Sequence, residues 1–489
     1  MKNRPSKWFV ATVLTGSLAS LVLWFGILPD LEEARVLSTP GEIVFPAKVV
    51  ADGAGDGSGK AKVSISNGSD NRVMALEDML GDGWEKFMRW ERNPWHRQGK
   101  FPGANFMRML SSKDPKERAK AEDIRRRAEW WLKRLSERYP ELAVTPHPVP
   151  DERNGFLKWV EFCERFKAKM PGMTSIGLTG AFEGYWKGEQ PWNPAAARAW
   201  LQANAALMDE IHTMGLMPEA SSEGISVERY SFFHARLAKE CADALMMEAR
   251  LAAEGGDLTG AMESVRVARG LVNNFEQVED PPLLQTTMRM MVQMDIETRV
   301  FSEILPALPE GSRDPAAWEA LVRPEVKPPS DFAKTMRGEW STSIREWVLP
   351  GILDPGDVNS PPDPGALIEA YTRPFAELAR DRLTAAPGDP VPVQADAASR
   401  SAGLSRLSRR IVEILWMEPN GWHKGWYRAN NVHGLTLAAF SLMKDDSRVP
   451  VDPIRGVPYR WNPATRTLSM PATPEFDGMK IKPVVVPKR

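Results

Sequence analysis

The stretch from Ser226 to Phe275, SVERYSFFHARLAKECADALMMEARLAAEGGDLTGAMESVRVARGLVNNF, decides the fold class of this 489-residue chain. In its first half, apolar and small residues recur in steps of three and four at Tyr230, Phe233, Leu237, Cys241 and Leu245. Such spacing places one apolar stripe along one face of a helix. Gly255 and Gly256 interrupt the pattern, because glycine disfavours a helix interior and readily caps a helix end. The stretch therefore predicts two helices joined by a tight turn.

The second arm of this hairpin begins after Asp257, whose side chain can cap the free N–H groups of a helix. Its predicted inner face comprises Leu258, Ala261, Met262, Val265, Ala268, Leu271 and Val272. Small residues allow two antiparallel helices to approach closely, and the hairpin has them at Ala249, Ala252, Gly256, Ala261 and Ala268.

The pattern of small residues resembles a single tetratricopeptide repeat, a helix–turn–helix unit. The positions that carry the resemblance are Ala249, Gly256, Asp257, Ala261 and Ala268. Glu248 and Ala252 depart from it, since the repeat has bulky residues there. A solenoid needs about three repeats to bury a continuous core. We find one, so we predict a TPR-like αα-hairpin inside a larger helical domain, where it either packs as core or offers a peptide-binding groove.

Helix starts elsewhere carry a common signature, Asp or Asn followed by Pro. The residue before proline caps the helix, and proline at the first helical position loses no hydrogen bond. The signature occurs at Asp114-Pro115, Asn193-Pro194, Asp280-Pro281, Asp314-Pro315 and Asp363-Pro364. Helices are predicted at 73–91, 114–138, 153–169, 194–214, 226–254, 257–275, 281–304, 314–322, 332–348, 363–384, 396–417 and 428–445. The predicted fold is all-α, a multi-helix array of αα-hairpins.

The N-terminus predicts a membrane anchor. Residues 8–28 are apolar and uncharged, which is long enough to cross a bilayer as a helix. Basic residues precede this segment and acidic residues follow it, which favours a cytoplasmic N-terminus and a periplasmic or other extracytoplasmic bulk. The alternative is a cleaved signal peptide, although the apolar core is longer than usual and no small-x-small cleavage site follows it.

The remaining boundaries follow from composition. Residues 1–28 form the cytoplasmic tip and transmembrane signal anchor. Residues 29–72 contain a Gly-rich run and form a stalk or small β segment. Residues 73–448 form the extracytoplasmic helical domain. Residues 449–489 form a small β-hairpin and tail, because a strand ending at Trp461 faces a second one at 467–470 across Asn-Pro-Ala-Thr.

The C-terminal turn, VDPIRGVPYRW, resembles the ending D-P-x-x-G-x-P-Y/L-R-Y of an uncharacterised family of bacterial signal-anchored helical envelope proteins. The matching positions are Asp452, Pro453, Gly456, Pro458, Tyr459 and Arg460. The resemblance implies the same layout: one membrane segment, a helical middle with an AEGGD hairpin, and this terminal hairpin. Type II secretion pseudopilins have a similar turn, but this chain lacks their processing site before the apolar helix. The family brings no catalytic residues, and we interpret the turn as structural.

Charge and cysteine content exclude several classes. The formal net charge is −1, so no overall attraction to nucleic acid follows. The two cysteines, Cys163 and Cys241, form no CxxC motif, which argues against a zinc or thioredoxin-type site. Both lie in helical patterns and are predicted to be buried thiols, or a disulfide if an oxidising compartment and the geometry allow one.

No catalytic, cofactor or metal motif is present: no HExxH, GxSxG or phosphate-binding loop. Two aromatic segments, interpreted as loops, are the candidate ligand or partner contacts, with Trp186 and Trp192 in one and Trp422 and Trp426 in the other. The first hypothesis is a membrane-anchored scaffold that binds a protein partner. The alternative is a cell-wall glycan-binding or glycan-cleaving protein, whose paired acids would come from Glu183, Glu189 or Glu418.

Overall fold

The computed structural model describes residues 104–110, 112–145, 147–169, 176, 178–186, 189–225, 232–322, 328–354, 363–384, 403–405, 408–409, 412, 419–471 and 481–488. The predicted anchor at 8–28, the stalk at 29–72 and the helix at 73–91 lie outside these ranges, as does most of the predicted helix at 396–417. In the ranges that are described, no helix combines the length and apolar character needed to cross a bilayer.

The described chain is mainly helical, as predicted. The helices are α1 (Ala104–Leu110), α2 (Pro115–Arg138), α3 (Gly155–Lys169), α4 (Leu178–Trp186), α5 (Pro194–Ala203), α6 (Ala205–Gly215), α7 (Phe232–Glu254), α8 (Leu258–Glu276), α9 (Leu283–Arg299), α10 (Pro315–Val322), α11 (Pro328–Ser343), α12 (Pro364–Thr384) and α13 (Pro419–Lys444). Two helices continue through a π-helical segment into a short α-helical turn. These extensions are Val300–Ile304 and Leu305–Ala307 after α9, and Ile344–Val348 and Leu349–Leu353 after α11.

Helices α7 and α8 form the predicted hairpin. Gly256 adopts φ +76° at the turn, a conformation that side chains with a Cβ disfavour. The Asp257 side chain accepts a hydrogen bond from the Gly260 N–H at 2.9 Å, which caps α8 as expected. The predicted inner face of α8 packs into the core, and five of its residues are buried: Ala261, Val265, Ala268, Leu271 and Val272.

A second close approach joins α8 to α6. A Cβ placed on Gly270 would lie 1.7 Å from the carbonyl oxygen of Gly215, so the two backbones touch at these glycines. A Cβ on Gly215 would in turn lie 2.4 Å from the Val267 carbonyl oxygen. The small residues singled out in the sequence lie in the hairpin itself, whereas this contact involves a helix from outside it.

The other helices are arranged around the hairpin. Helix α9 packs on both α7 and α8, α13 packs on α9, and α11 pairs with α12 and also contacts α9. One continuous core runs from Ala128 to Val486 and includes four fully buried tryptophans: Trp159, Trp318, Trp340 and Trp347. Cys163 and Cys241 are buried in it as free thiols, and burial raises the pKa of both.

Four of the five Asp/Asn-Pro signatures start a helix at the proline: α2, α5, α10 and α12. At the first of these, Asp114 accepts a hydrogen bond from the Lys116 N–H. The fifth, Asp280-Pro281, differs. Helix α9 begins at Leu283, and its first N–H group donates to the carboxylate of Glu339 at 2.9 Å. Asp280 therefore does not cap α9, and its side chain lines a cavity instead.

Several predicted helix boundaries were wrong, and two of these errors change the number of helices. No helix was predicted between 169 and 194, but α4 forms there, because Leu178 and Phe182 are buried and tertiary packing overrides the weak helix propensity of its two glycines. The single helix expected at 194–214 is instead α5 and α6, which meet at Asn204. The Asn204 side chain donates to the Trp200 carbonyl at 2.8 Å and so competes with the helical hydrogen-bond pattern.

The C-terminal hairpin is confirmed and gains a strand. β1 (Arg460–Asn462) pairs antiparallel with β2 (Thr467–Ser469), which pairs antiparallel with β3 (Val484–Val485). Leu468 is buried in the shared core, so the sheet packs on the helices. In the preceding turn, buried Asp452 accepts the Arg455 N–H at 2.7 Å and the Tyr459 hydroxyl at 3.3 Å. These bonds support the structural interpretation of the turn.

Candidate functional site: a polar cavity beside Asp280

A cavity of about 610 Å³ opens between α2, the segment 222–225, the corner at Glu279-Asp280 and the C-terminal part of α11 with its π-helical extension. This volume lies in the range of small-molecule and side-chain binding pockets. Its apolar lining comprises Leu132, Leu142, Ala143, Val144, Ile225 and Trp340, and its polar and charged lining comprises Arg125, Glu129, Lys133, Ser136, Ser222, Glu223, Glu279, Asp280, Ser341, Arg345 and Glu346.

Close backbone packing sets the position of the corner. A Cβ on Gly338 would lie 2.3 Å from the Pro281 carbonyl oxygen and 2.4 Å from that of Asp280, so glycine is required for α11 to approach the corner. One turn further along α11, Ser341 comes within reach of the Asp280 carboxylate. The lack of a side chain at residue 338 thus positions a serine and an aspartate against each other.

The segment 221–225 is held from several sides. The Asn154 side chain bonds both the N–H and the C=O of Ser221, at 3.1 and 3.0 Å. Glu279 accepts hydrogen bonds from the Ser221 hydroxyl and from the N–H and hydroxyl of Ser222. Gly224 follows with φ +73°, which turns the chain back toward the core. The cavity wall formed by this segment is therefore ordered by named polar contacts.

Asp280 lies between two serine hydroxyls. Its Oδ1 is 3.0 Å from Ser222 Oγ and its Oδ2 is 3.2 Å from Ser341 Oγ. Each hydroxyl has a single hydrogen and a competing acceptor: Ser222 Oγ lies 2.8 Å from Glu279 Oε2, and Ser341 Oγ lies 3.1 Å from a backbone carbonyl oxygen. The corner therefore has more acceptors than hydroxyl hydrogens.

Burial has the largest effect on the protonation of Asp280. Burial raises the pKa of its carboxyl group, while Arg345, 3.9 Å away, and the two serine hydroxyls act in the opposite direction. Arg345 is also ion-paired with Glu129 of α2 at 2.9 Å. The Arg345 guanidinium thus interacts with one carboxylate at the rim of the cavity, Glu129, and with one in its interior, Asp280.

The tryptophans proposed as contacts lie elsewhere. Trp186 and Trp192 pack partly buried against the core, and the Arg250 guanidinium lies 4.5 Å from the Trp192 ring centre. Trp426 is 4% exposed, and Trp422 lies in the same helix, α13. Trp186, Trp192 and Trp426 do not line the cavity. The segments interpreted as loops are largely helical, because Trp186 ends α4 and α13 already begins at Pro419. Their role in contacting a ligand stays a prediction.

Of the acids considered for glycan chemistry, Glu189 does not line the cavity. Glu189 is exposed beside α4, Glu183 belongs to α4, and Glu418 lies outside the described residues. Among the described residues, no group of three or more His, Cys, Asp or Glu side chains could hold a metal ion. Two histidines instead pair with carboxylates, His212 with Glu248 at 2.8 Å and His433 with Glu297 at 2.7 Å.

Sequence reasoning missed Ser222, Glu279 and Asp280, which come together from segments about 57 residues apart. The one available signal is Asp280-Pro281, a pattern that predicts a helix cap. Comparisons of the chain with family models, curated proteins and solved structures give no match. The resemblance to signal-anchored envelope proteins therefore stays a prediction, and the site is interpreted from its own geometry.

Proposed function

We propose that the protein is a membrane-anchored, extracytoplasmic helical scaffold that binds a partner, and that the cavity beside Asp280 is where it binds. The observation that carries this proposal is the cavity itself: about 610 Å³, with an apolar part of its wall and a larger set of polar and charged groups around it. Its wall residues are fixed by the contacts of Asn154, Glu279 and Gly338, so the site is formed before any ligand arrives. Preformed sites bind at a lower cost in conformational entropy.

Binding through the cavity is tested by site-specific photo-crosslinking in the full-length chain. A photoreactive residue at the exposed rim position Lys133 should give a defined protein adduct, whereas one at exposed Asp446, near the C-terminal sheet, should not. A second variant, Ala143→Trp, fills the cavity from its exposed edge and should abolish the adduct. Identical adducts from both positions, or an adduct that survives Ala143→Trp, would contradict the proposal.

The anchored location is supported by the uncharged segment 8–28 and its flanking charges. We expect the full-length chain to fractionate with membranes, and a chain that begins at Asp30 to be released. The protease accessibility of the helical domain in spheroplasts measures the side on which it lies. Membrane association that survives the deletion, or protection of the domain in spheroplasts, would overturn this part of the proposal.

A further inference from the structure

The charged residues that line the cavity divide unevenly between its rim and its interior. Lys133, Glu129 and Glu223 are exposed at the rim. The interior contains the carboxylates Glu279, Asp280 and Glu346, of which Glu346 is 2% exposed. In total five acidic and three basic side chains line the cavity, so the surplus is negative.

The basic side chains already have carboxylate partners or lie at the edge. Arg345 is paired with Glu129 at 2.9 Å and approaches Asp280 at 3.9 Å, and Arg125 is paired with Glu122 at 3.3 Å. An anionic ligand would have to displace one of these carboxylates and would then face the three interior acids. Like charges brought together in a partly buried site repel strongly.

The hydrogen-bond inventory favours the same sign of ligand. The hydroxyls of Ser221, Ser222 and Ser341 and the N–H of Ser222 donate to the carboxylate oxygens of Glu279 and Asp280. A carboxylate has about four acceptor sites, so lone pairs remain on both groups. A ligand that brings several N–H donors would bond to the lone pairs that remain on these carboxylates. An ammonium group has three such donors and a guanidinium group has five.

We propose that the occupant of this cavity is an organic cation, with an ammonium or guanidinium group that binds Asp280 and Glu279. Its apolar stem packs against Leu132, Val144 and Ile225. The inference rests on the proposed function, because it names the chemistry of the group that enters the same cavity. A lysine or arginine side chain of a protein partner and a free alkyl amine share this chemistry.

The test is calorimetric titration of the full-length chain in a mild detergent with four probes. Cadaverine and N-acetyl-lysine methylamide supply the cation as a free amine and as a peptide side chain, glutarate supplies an anion, and pentanol supplies a neutral stem. At least one cation should bind, and the tighter of the two identifies the source. In Asp280→Asn its affinity should fall on the order of tenfold, the loss of one charge-assisted bond. Asp446→Asn, which changes an exposed carboxylate far along the chain, should leave the affinity unchanged.

The outcomes separate the two proposals. If glutarate or pentanol binds, Ala143→Trp blocks that binding and no cation binds, the proposal of a cationic ligand is wrong. The cavity would then remain the binding site. Cation binding that is equal in the wild type and Asp280→Asn would overturn the assigned contacts. If no probe of any class binds in a manner that Ala143→Trp blocks, both proposals fail.

Discussion

Glu339 is a buried carboxyl group that caps α9 from the neighbouring helix α11. It is 1% exposed and accepts the Leu283 N–H at 2.9 Å. Burial raises its pKa from 4.5 to about 7, against the lowering effect of its hydrogen bonds. Because the folded state then binds this proton more tightly than the unfolded state, stability is lost as pH rises from 4.5 to about 7.

We predict that Glu339→Gln removes this pH dependence and stabilises the protein above neutral pH. The amide oxygen keeps the acceptor for Leu283, while the cost of the buried charge, on the order of 3 kcal/mol for such a shift, disappears. The measurement is urea unfolding at a series of pH values. Glu137→Gln, at an exposed position of α2, is the control and should retain the wild-type slope. If Glu339→Gln makes the protein less stable than the wild type at high pH, the argument is contradicted.

Asp280 shows what residue patterns predict and what they cannot. Asp-Pro is a local signal, and at Asp114 the local hydrogen bond alone decides the outcome. At Asp280 a distant carboxylate from α11 takes over the cap, and the aspartate turns to hydroxyls 58 and 61 residues away. Which residue caps the helix here depends on contacts between distant segments, and a single sequence does not show these contacts. The cavity was therefore not predictable, although Asp280 belongs to a recognisable Asp-Pro signature.

At the scale of elements, the hairpin was predictable and its neighbours were not. The apolar stripe, the glycine turn and the Asp257 cap are all set within a few residues of one another. The contact of α6 with α8 depends on Gly215 and Gly270, which are far apart in sequence. Helix α4 was missed for a related reason, since its propensity is low and its buried face stabilises it.

Because α6 and α8 approach so closely, adding a single methyl group at Gly270 should lower the stability of the protein. In Gly270→Ala the new Cβ would lie 1.7 Å from the Gly215 oxygen, so one helix must shift. We expect a loss of about 3 kcal/mol, at the upper end for overpacking, measured by thermal and urea unfolding. Gly255→Ala is the matched control, because its Cβ would meet its neighbours at 3.4 and 3.5 Å, an ordinary contact. Equal stability of the two variants would show that the helices are not in contact at these glycines.

At the scale of the whole molecule, a buried ionic network joins the hairpin to the remaining helices. Lys239 and Asp243 on α7 meet Asp295 and Arg299 on α9. Arg299 is 4% exposed and also contacts Glu303 at 3.3 Å. Burial opposes its charge, but the surrounding carboxylates raise the pKa of Arg299, so it remains a cation. Since α9 also supports α11 and α13, the network lies where most of the array meets.

Removing one partner of a buried ionic network leaves an uncompensated charge, which costs about 3–5 kcal/mol. We therefore predict that Arg299→Leu destabilises the protein by that amount. Because the core is continuous, secondary structure by circular dichroism and packing by tryptophan fluorescence should be lost in one transition.

Arg266→Leu, which breaks an exposed pair with Glu263, should cost less than about 1 kcal/mol. Adding Asp243→Leu to Arg299→Leu should recover part of the stability, because it removes the excess negative charge and leaves Lys239 paired with Asp295. Two separate transitions in the single variant would mean that the hairpin and α9 fold independently, which the shared network and core argue against.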